Sequence, residues 1–190
     1  MILAAGLARQ GGGQVWLPYT GIFNSADAAA GMTISASGSS VATGTNAGVY
    51  RSCRSTVVLT GKCFWHIALD PKPNTDAILG VMNSSSGLGD FVGENVNGWG
   101  YRSDGTKNNN GATAHGDTFT SGDILTVAVD VAAASIWFAK NFVWQASGNP
   151  ITGANPAFTN LSGSLSPAVS GITVSVSGTY FMTANAMGLS

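Results

Sequence analysis

The chain has no run of ten or more residues with the apolar period of a helix, and this restricts its fold more than any other feature. From Val15 onward, short stretches with the period-2 alternation of strands are separated by turns rich in Gly, Ser and Asn. Residues 32–37 and 172–177 alternate strictly. About a dozen short strands of this kind predict an all-β fold, an antiparallel β-sandwich of two packed sheets.

The middle of the chain, residues 122–144, carries the clearest strand pattern. Alternate apolar residues between Leu125 and Val129 share one face, and a second run over residues 135–140 follows. Asn141-Phe142 then stands where a hairpin turn is expected, before the chain starts back. Residues 63–69 are apolar on nearly both faces, which is typical of a strand between two layers. By contrast, residues 103–116 read as a polar loop.

A chain of 190 residues suits one domain, predicted over residues 15–190 and preceded by an N-terminal arm over residues 1–14. The first seven residues are apolar and a glycine tract follows them. The segment is either a frayed terminus or an arm that docks on a neighbouring subunit. Docking is the preferred interpretation, with Ile2, Leu3 and Leu7 as the candidate contacts.

Charged residues make up only 9% of the chain, against a usual ~25%. Hydroxyls, amides and 26 glycines supply the polarity, which suits a protein packed in an assembly. An ordinary secreted or structural β protein with uncharged faces remains the alternative. The net charge is −1 and the basic residues are scattered, which argues against binding of nucleic acid. The apolar start is too short to span a membrane and has no basic leader, so synthesis in a cytoplasm is expected.

Catalytic and metal-binding patterns are missing from the sequence. Glu94 is the only glutamate. A glycosidase needs two carboxylates, and the only local candidate is Glu94 paired with Asp90 or Asp104. All three residues lie in turn-rich segments, where solvated acidic residues are common. Lys107 lies among the oxygen-bearing residues that follow Asp104 and disfavours calcium there. The two cysteines, ten residues apart, fit no zinc or redox spacing and are expected to be buried free thiols rather than a bridge. We therefore expect no enzyme activity, no cofactor and no metal.

From about residue 17 to residue 188 the chain resembles a SPRY domain, the concanavalin-like, jelly-roll-like β-sandwich, in the form found in structural proteins of tailed phages. Several segments match the family's motifs, and they do so in the family's order. They are Gly61-Lys62-Cys63-Phe64-Trp65, Gly98-Trp99-Gly100-Tyr101-Arg102-Ser103-Asp104-Gly105, Gly122-Asp123-Ile124 with Val127-Ala128-Val129-Asp130, Ile136-Trp137-Phe138 with Lys140-Asn141, Asn155-Pro156-Ala157-Phe158, Leu165-Ser166-Pro167-Ala168-Val169 and Thr183-Ala184-Asn185.

Two positions depart from the family pattern. His66 stands where an acidic residue is usual, and Phe142 replaces the glycine of the hairpin turn. A type I′ turn would be strained at Phe142, so either the turn is looser than in relatives or a partner holds this residue.

The resemblance implies that loops at the ends of the sandwich contact partners. The candidate loops are residues 70–75, 83–95 and 103–115, and Phe142 in the predicted hairpin turn is a further candidate. The candidate contacts are Asn74, Asn83, Asn95, Asp104, Lys107, Asn108, Asn109, Asn110, His115 and Phe142. Asparagines beside Trp99 and Tyr101 could hold sugar hydroxyls, with an aromatic ring against the sugar. However, Trp99, Tyr101 and Trp137 lie in predicted strands, and we expect all three to be core residues. Trp16 and Trp144, nearer to glycine or turns, are expected to be partly exposed.

These features together predict a non-enzymatic virion protein of a tailed phage, made in the host cytoplasm. The preferred role is a decoration or cement protein on the capsid, bound to the major capsid protein. One alternative is a receptor-binding module of a tail tip or fibre, bound to other tail proteins and to a glycan on the host surface. Another is a soluble lectin-like or peptide-binding module outside a virion. A homo-oligomer is expected because virion proteins sit in symmetric sets, a trimer being one such arrangement.

Overall fold

A computed structural model describes residues 19–20, 23–36, 38, 40–43, 48–70 and 76–183. Fifteen strands, one 3₁₀ turn over Gln145–Ser147 and the connecting loops make up these residues. The predicted arm over residues 1–14, with Ile2, Leu3 and Leu7, lies outside them. So do Trp16 and Asn74.

Eight strands form the first sheet, which is antiparallel throughout. In spatial order they are β13 (Val143–Trp144), β12 (Ser135–Lys140), β11 (Ile124–Asp130), β6 (Lys62–Leu69), β15 (Ser175–Thr183), β4 (Val41–Thr43) and β3 (Met32–Ile34). The eighth, β1 (Tyr19–Thr20), also pairs with β15.

Seven strands form the second sheet, also antiparallel. Their order is β10 (Ala112–Ala114), β9 (Thr106–Asn108), β8 (Gly98–Arg102), β7 (Ile78–Asn83), β14 (Leu165–Gly171), β5 (Arg51–Ser55) and β2 (Phe23–Ala28). The two sheets pack face to face, which confirms the predicted β-sandwich.

Alternation along the central strands fills the space between the sheets. In β6, Trp65, Ile67 and their inward neighbours pack against the inward residues of β11 and of the second sheet. Tyr101 from β8 stacks on Phe138 from β12, with ring centroids 5.4 Å apart. The core therefore rests on the aromatic residues of the motifs that carry the family resemblance. Both cysteines, Cys53 and Cys63, are buried in this core as free thiols, as expected.

A long loop, residues 84–97, lies flat on the outer face of the second sheet. The amide of Val92 donates to the Ser170 hydroxyl at 2.9 Å, and Ser52 donates to the carbonyl of Asp90. Glycine is required where the loop crosses β8, because a Cβ on Gly100 would stand 2.5 Å from the carbonyl oxygen of Val92. The Gly98-Trp99-Gly100 sequence thus places its aromatic inside the sandwich and leaves the outer side bare for the loop.

The sequence-based expectation was wrong for residues 103–116, which are not simply a polar loop. Two short strands, β9 and β10, form a hairpin there and extend the second sheet to its edge. Edge strands are held by backbone hydrogen bonds to one neighbour, and they can form without the apolar side chains by which strands are recognised.

Candidate partner-binding surfaces

The predicted contact residues are divided between the two ends of the sandwich. Asn83, Asn95 and the tip of the β9–β10 hairpin lie at the end where β7 finishes and β8 begins. Asp104 and the Asn141-Phe142 turn lie at the opposite end, where β8 and β12 finish. The described candidates therefore do not converge on a single site.

Asparagine side chains at the first of these ends are bonded to one another and to the fold. The indole of Trp99 donates to Asn160 Oδ1 at 3.0 Å, and Asn160 Nδ2 donates to Asn109 Oδ1 at 3.1 Å. Asn109 Nδ2 in turn donates to the carbonyl of Gly98 at 2.7 Å. Because these amides hold separate loops together, they act as structural links rather than as open ligand-binding groups. The sequence offered no signal for Asn160, which lies 61 residues from Trp99.

Asn83, Asn95 and Asn108 are also turned into the protein. Asn83 is buried, and its Nδ2 donates to Asn97 Oδ1 and to the carbonyl of Ser162. Asn95 Nδ2 donates to Asp90 Oδ2 at 2.9 Å. Asn108 is buried and donates to Thr106 Oγ1. Of the asparagines proposed as contacts near this end, Asn110 is the one that the structure leaves exposed.

Lys107 and His115 serve the packing of the same edge. The Lys107 ammonium donates to the carbonyl of Ala157 at 2.6 Å and lies 5.0 Å from the ring centroid of Phe158. The His115 ring stands edge-on to Tyr101 and Phe138. Burial, reinforced by the charge of Lys107, lowers the pKa of His115 to about 4. His115 is therefore neutral near pH 7 and suits a packing role.

At the opposite end, Asp104 is exposed but is engaged within its own turn. Its Oδ1 accepts hydrogen bonds from the amide and the hydroxyl of Thr106. Within the described part of the chain, no three His, Cys, Asp or Glu residues are grouped so that they could hold a metal ion.

The β12–β13 hairpin presents the most exposed apolar side chains at that end. Lys140 pairs with Val143, so the turn contains only Asn141 and Phe142. Both have positive φ, 48° and 67°, as a type I′ turn requires. Of the two alternatives, the looser turn is therefore not observed, and a phenylalanine occupies a left-handed position that favours glycine. Phe142 and Val143 are each 65% exposed, and we call residues 141–143 the hairpin tip.

Polar contacts fix the hairpin tip from below. Asn141 Nδ2 donates to Asp123 Oδ1 at 2.7 Å, and Asn141 Oδ1 accepts from the amide of Ile124 at 2.9 Å. Lys140 lies 3.4 Å from Asp123 and donates to the carbonyl of Thr118. Hydrogen bonds and a pair of opposite charges therefore anchor the hairpin tip, which carries two exposed apolar side chains.

His66 packs beside the hairpin tip on the outer face of the first sheet. Its Nδ1 lies 2.7 Å from Thr126 Oγ1, and its ring lies edge-on to Phe64 and Phe142. Burial lowers the pKa of His66, which favours the neutral ring. His66 therefore contributes to packing on the outer face of the first sheet.

The strand aromatics occupy the interior, which confirms the expectation from sequence. Trp99 is 1% exposed and Tyr101 is fully buried between the sheets. Trp137 is 3% exposed and is buried on the outer face of the first sheet, where it packs with Phe64 and Ala128. Its indole donates to the carbonyl of Ala154. Trp144 is partly exposed, also as expected. Trp99 and Tyr101 consequently present no open ring face to a sugar. No helix in the described ranges is long and apolar enough to cross a membrane.

Solved structures with the same architecture include SPRY domains and a toxin. The SPRY domain of human HERC1 aligns with a TM-score of 0.65 and 21% identity over 85% of this chain and 98% of the other. A human SPRY domain aligns with a TM-score of 0.62 and 16% identity over 80% of this chain and 94% of the other. Stonustoxin aligns with a TM-score of 0.63 and 16% identity over 82% of this chain and 26% of the toxin chain. These likenesses show the fold.

Comparison of sequences gives the family directly. Curated protein sequences include no significant match to the chain. The sequence profile described as "SPRY domain" matches residues 62–181, from β6 to within β15, and covers all the motifs named above except the last and the Gly61 that opens the first. The chain therefore belongs to the SPRY domain family.

Proposed function

We propose that this protein is a non-enzymatic protein-binding module whose contact surface is centred on the hairpin tip. SPRY domains are generally non-catalytic interaction modules. The observation that carries the specific proposal is Phe142, an exposed aromatic residue kept in a left-handed turn position. Backbone strain of this kind costs on the order of 1–3 kcal/mol and clusters at functional sites.

The composition of the hairpin tip favours a protein partner. Phe142 and Val143 offer adjacent apolar side chains, and aromatic residues are enriched at the centres of protein interfaces. The nearest charges, Lys140 and Asp123, already form a pair. A neutral, apolar patch on the partner would complement this surface.

A glycan partner is less well supported. Sugar recognition on this scaffold would draw on free amides and an open aromatic face. Here the amides of Asn83, Asn95 and Asn109 are engaged within the protein, and the rings of Trp99 and Tyr101 are buried.

For the biological setting, we propose a structural role in a tailed-phage virion, as a decoration or cement protein bound to the major capsid protein. The scarcity of charged residues, which suits a protein packed in an assembly, supports this proposal. The receptor-binding module of a tail tip is the second candidate, and a soluble interaction module outside a virion is the third. The apolar arm, with Ile2, Leu3 and Leu7, is proposed as an additional contact with a neighbouring subunit.

Binding of the purified protein to phage heads assembled without it tests both levels of the proposal. We expect saturable binding, a clear loss with Phe142→Ser, and no loss with Ile151→Ser, which alters another apolar side chain of similar exposure, 62%. If the labelled protein is found on the tail of complete phage particles and not on the head, the receptor-binding role is favoured. Equal binding by the two variants would refute the hairpin tip as the contact surface. Sugar-competable binding on a glycan array would overturn the protein-binding assignment.

A further inference from the structure

Among the strands that the structure describes, none pairs with the outer side of the β9–β10 hairpin, so this edge of the second sheet is open. β10 is the last strand of that sheet, and Ala112, Thr113 and Ala114 are all exposed. Proteins usually protect such an edge with a charged residue, a proline or a bulge. β10 contains no charged residue or proline, and its pairing with β9 is regular.

Two hydrogen bonds at the ends of β10 show which backbone groups face outward. Asn109 N–H donates to the carbonyl of Gly111, and His115 N–H donates to the carbonyl of Gly105. In an antiparallel ladder, bonds at these positions make Ala112–Asn108 and Ala114–Thr106 the non-hydrogen-bonded pairs. Thr113 consequently bonds to β9, while the N–H and C=O groups of Ala112 and Ala114 point away from it.

This outward pattern is complementary to itself. When a second copy approaches antiparallel, with Thr113 opposite Thr113, each Ala112 lies opposite an Ala114. Both alanine pairs then exchange N–H···O=C bonds in both directions, so four outward donors meet four outward acceptors. Thr113 faces its equivalent in the close, non-hydrogen-bonded position, where threonine pairs are favourable.

The flanking residues allow this approach. In the same register Gly111 lies opposite His115, and beyond Gly111 the chain turns back towards β9 at Asn110. No two like charges face each other, and the small side chains of the alanines and glycines leave room for the second strand.

We propose that β10 pairs antiparallel with β10 of a second copy about a two-fold axis at Thr113, joining the two second sheets into one. The contact is isologous, since the same strand serves both copies. A three-residue strand buries little surface, so the pairing is weak in dilute solution and is favoured where copies are held close together. It is separate from the hairpin tip and does not depend on the function proposed above.

Introducing a positive or a negative charge at Thr113 tests the pairing. Sedimentation at rising protein concentration should show a monomer–dimer equilibrium for the wild type. Thr113→Lys and Thr113→Glu should each remain monomeric because like charges meet at the two-fold axis, and an equimolar mixture of the two should dimerise. Ala132→Lys, which adds the same charge to an exposed turn at the other sheet, should dimerise like the wild type.

A proline variant tests the backbone groups. Ala114→Pro removes one outward N–H and leaves the bonds from Thr113 to β9 intact. We expect unchanged thermal unfolding and weaker dimerisation. A wild type that stays monomeric even at millimolar concentration would overturn the proposal. So would Thr113→Lys dimerising like the wild type, or a mixture of the charged variants that does not dimerise.

Discussion

The ring of Phe142 stands edge-on to the imidazole of His66, with centroids 5.4 Å apart and planes at 71°. This contact joins the β12–β13 turn to β6, two strands away in the first sheet. The same ring contact orients Phe142 while leaving most of its surface exposed. An unfavourable backbone conformation is therefore partly offset by a side-chain contact.

Replacing Phe142 separates these two effects. Phe142→Ala loses the ring but retains a side chain at positive φ, whereas Phe142→Gly loses the ring and relieves the backbone. We expect the glycine variant to be more stable than the alanine variant by about 1 kcal/mol. Urea unfolding of both variants measures this difference, and equal stabilities would show that the turn is not strained.

Acid should destabilise the fold through His115. Its pKa falls from 6.5 to about 4 on folding, so the unfolded chain binds more protons between these values. The free energy of unfolding should consequently decrease as the pH is lowered from 6.5 towards 4. His115→Phe keeps an aromatic ring and cannot be protonated.

That variant should reduce the acid-induced loss of stability by on the order of 1–2 kcal/mol, allowing for a ring that is only partly shielded from water. Urea unfolding of both proteins across this pH range gives the comparison. A wild type and variant that lose the same stability would exclude His115 as the source.

Gly100 should not tolerate a side chain. A Cβ there would stand 2.5 Å from the Val92 carbonyl oxygen and 2.6 Å from Ile78 Cγ2, so the loop over the outer face would have to move. We expect Gly100→Ala to cost about 1–3 kcal/mol. Gly89→Ala, where the Cβ would meet nothing within 4 Å, is the matched control. Chemical denaturation of both should show a loss for Gly100→Ala alone, and similar stabilities would argue against close packing of the loop.

Arg54 should be essential for the stability of the second sheet's outer face. Its guanidinium bonds both carboxylate oxygens of Asp27 at 2.8 Å and also donates to the carbonyls of Asn83 and Ser86. Arg54→Met would leave these acceptors unpaired, at a cost of about 2–4 kcal/mol. Arg54→Lys should recover part of this through its charge. Thermal unfolding provides the test, and a methionine variant as stable as the wild type would contradict it.

Much of the sandwich could be predicted from alternation and motif order. The inward aromatics of β6, β8 and β12 lie where their periodicity placed them, because burial of one strand face is a local pattern in the sequence. The polar segment from Ser103 to Gly116 hid two strands, since edge pairing depends on backbone bonds that leave no apolar pattern.

The candidate contacts were harder to predict for a related reason. An asparagine in a glycine-rich loop reads the same whether its amide faces water or a distant loop. Asn109 bonds to Asn160, 51 residues away, and Asn83 bonds to Ser162, 79 residues away. The unusual turn at Phe142 was recognisable because it breaks a turn rule that depends on adjacent residues alone, while its role as a contact stays a prediction.

The burial of the two thiols has a practical consequence for site-specific labelling. Burial raises the pKa of Cys53 to about 12 and that of Cys63 to about 11, so neither forms an appreciable amount of thiolate near neutral pH. A cysteine introduced on the exposed surface would therefore react with maleimide far faster than either native residue. Fluorophores or spin labels could then be placed at chosen positions in the otherwise native sequence, and distances between copies could be measured without first removing Cys53 or Cys63.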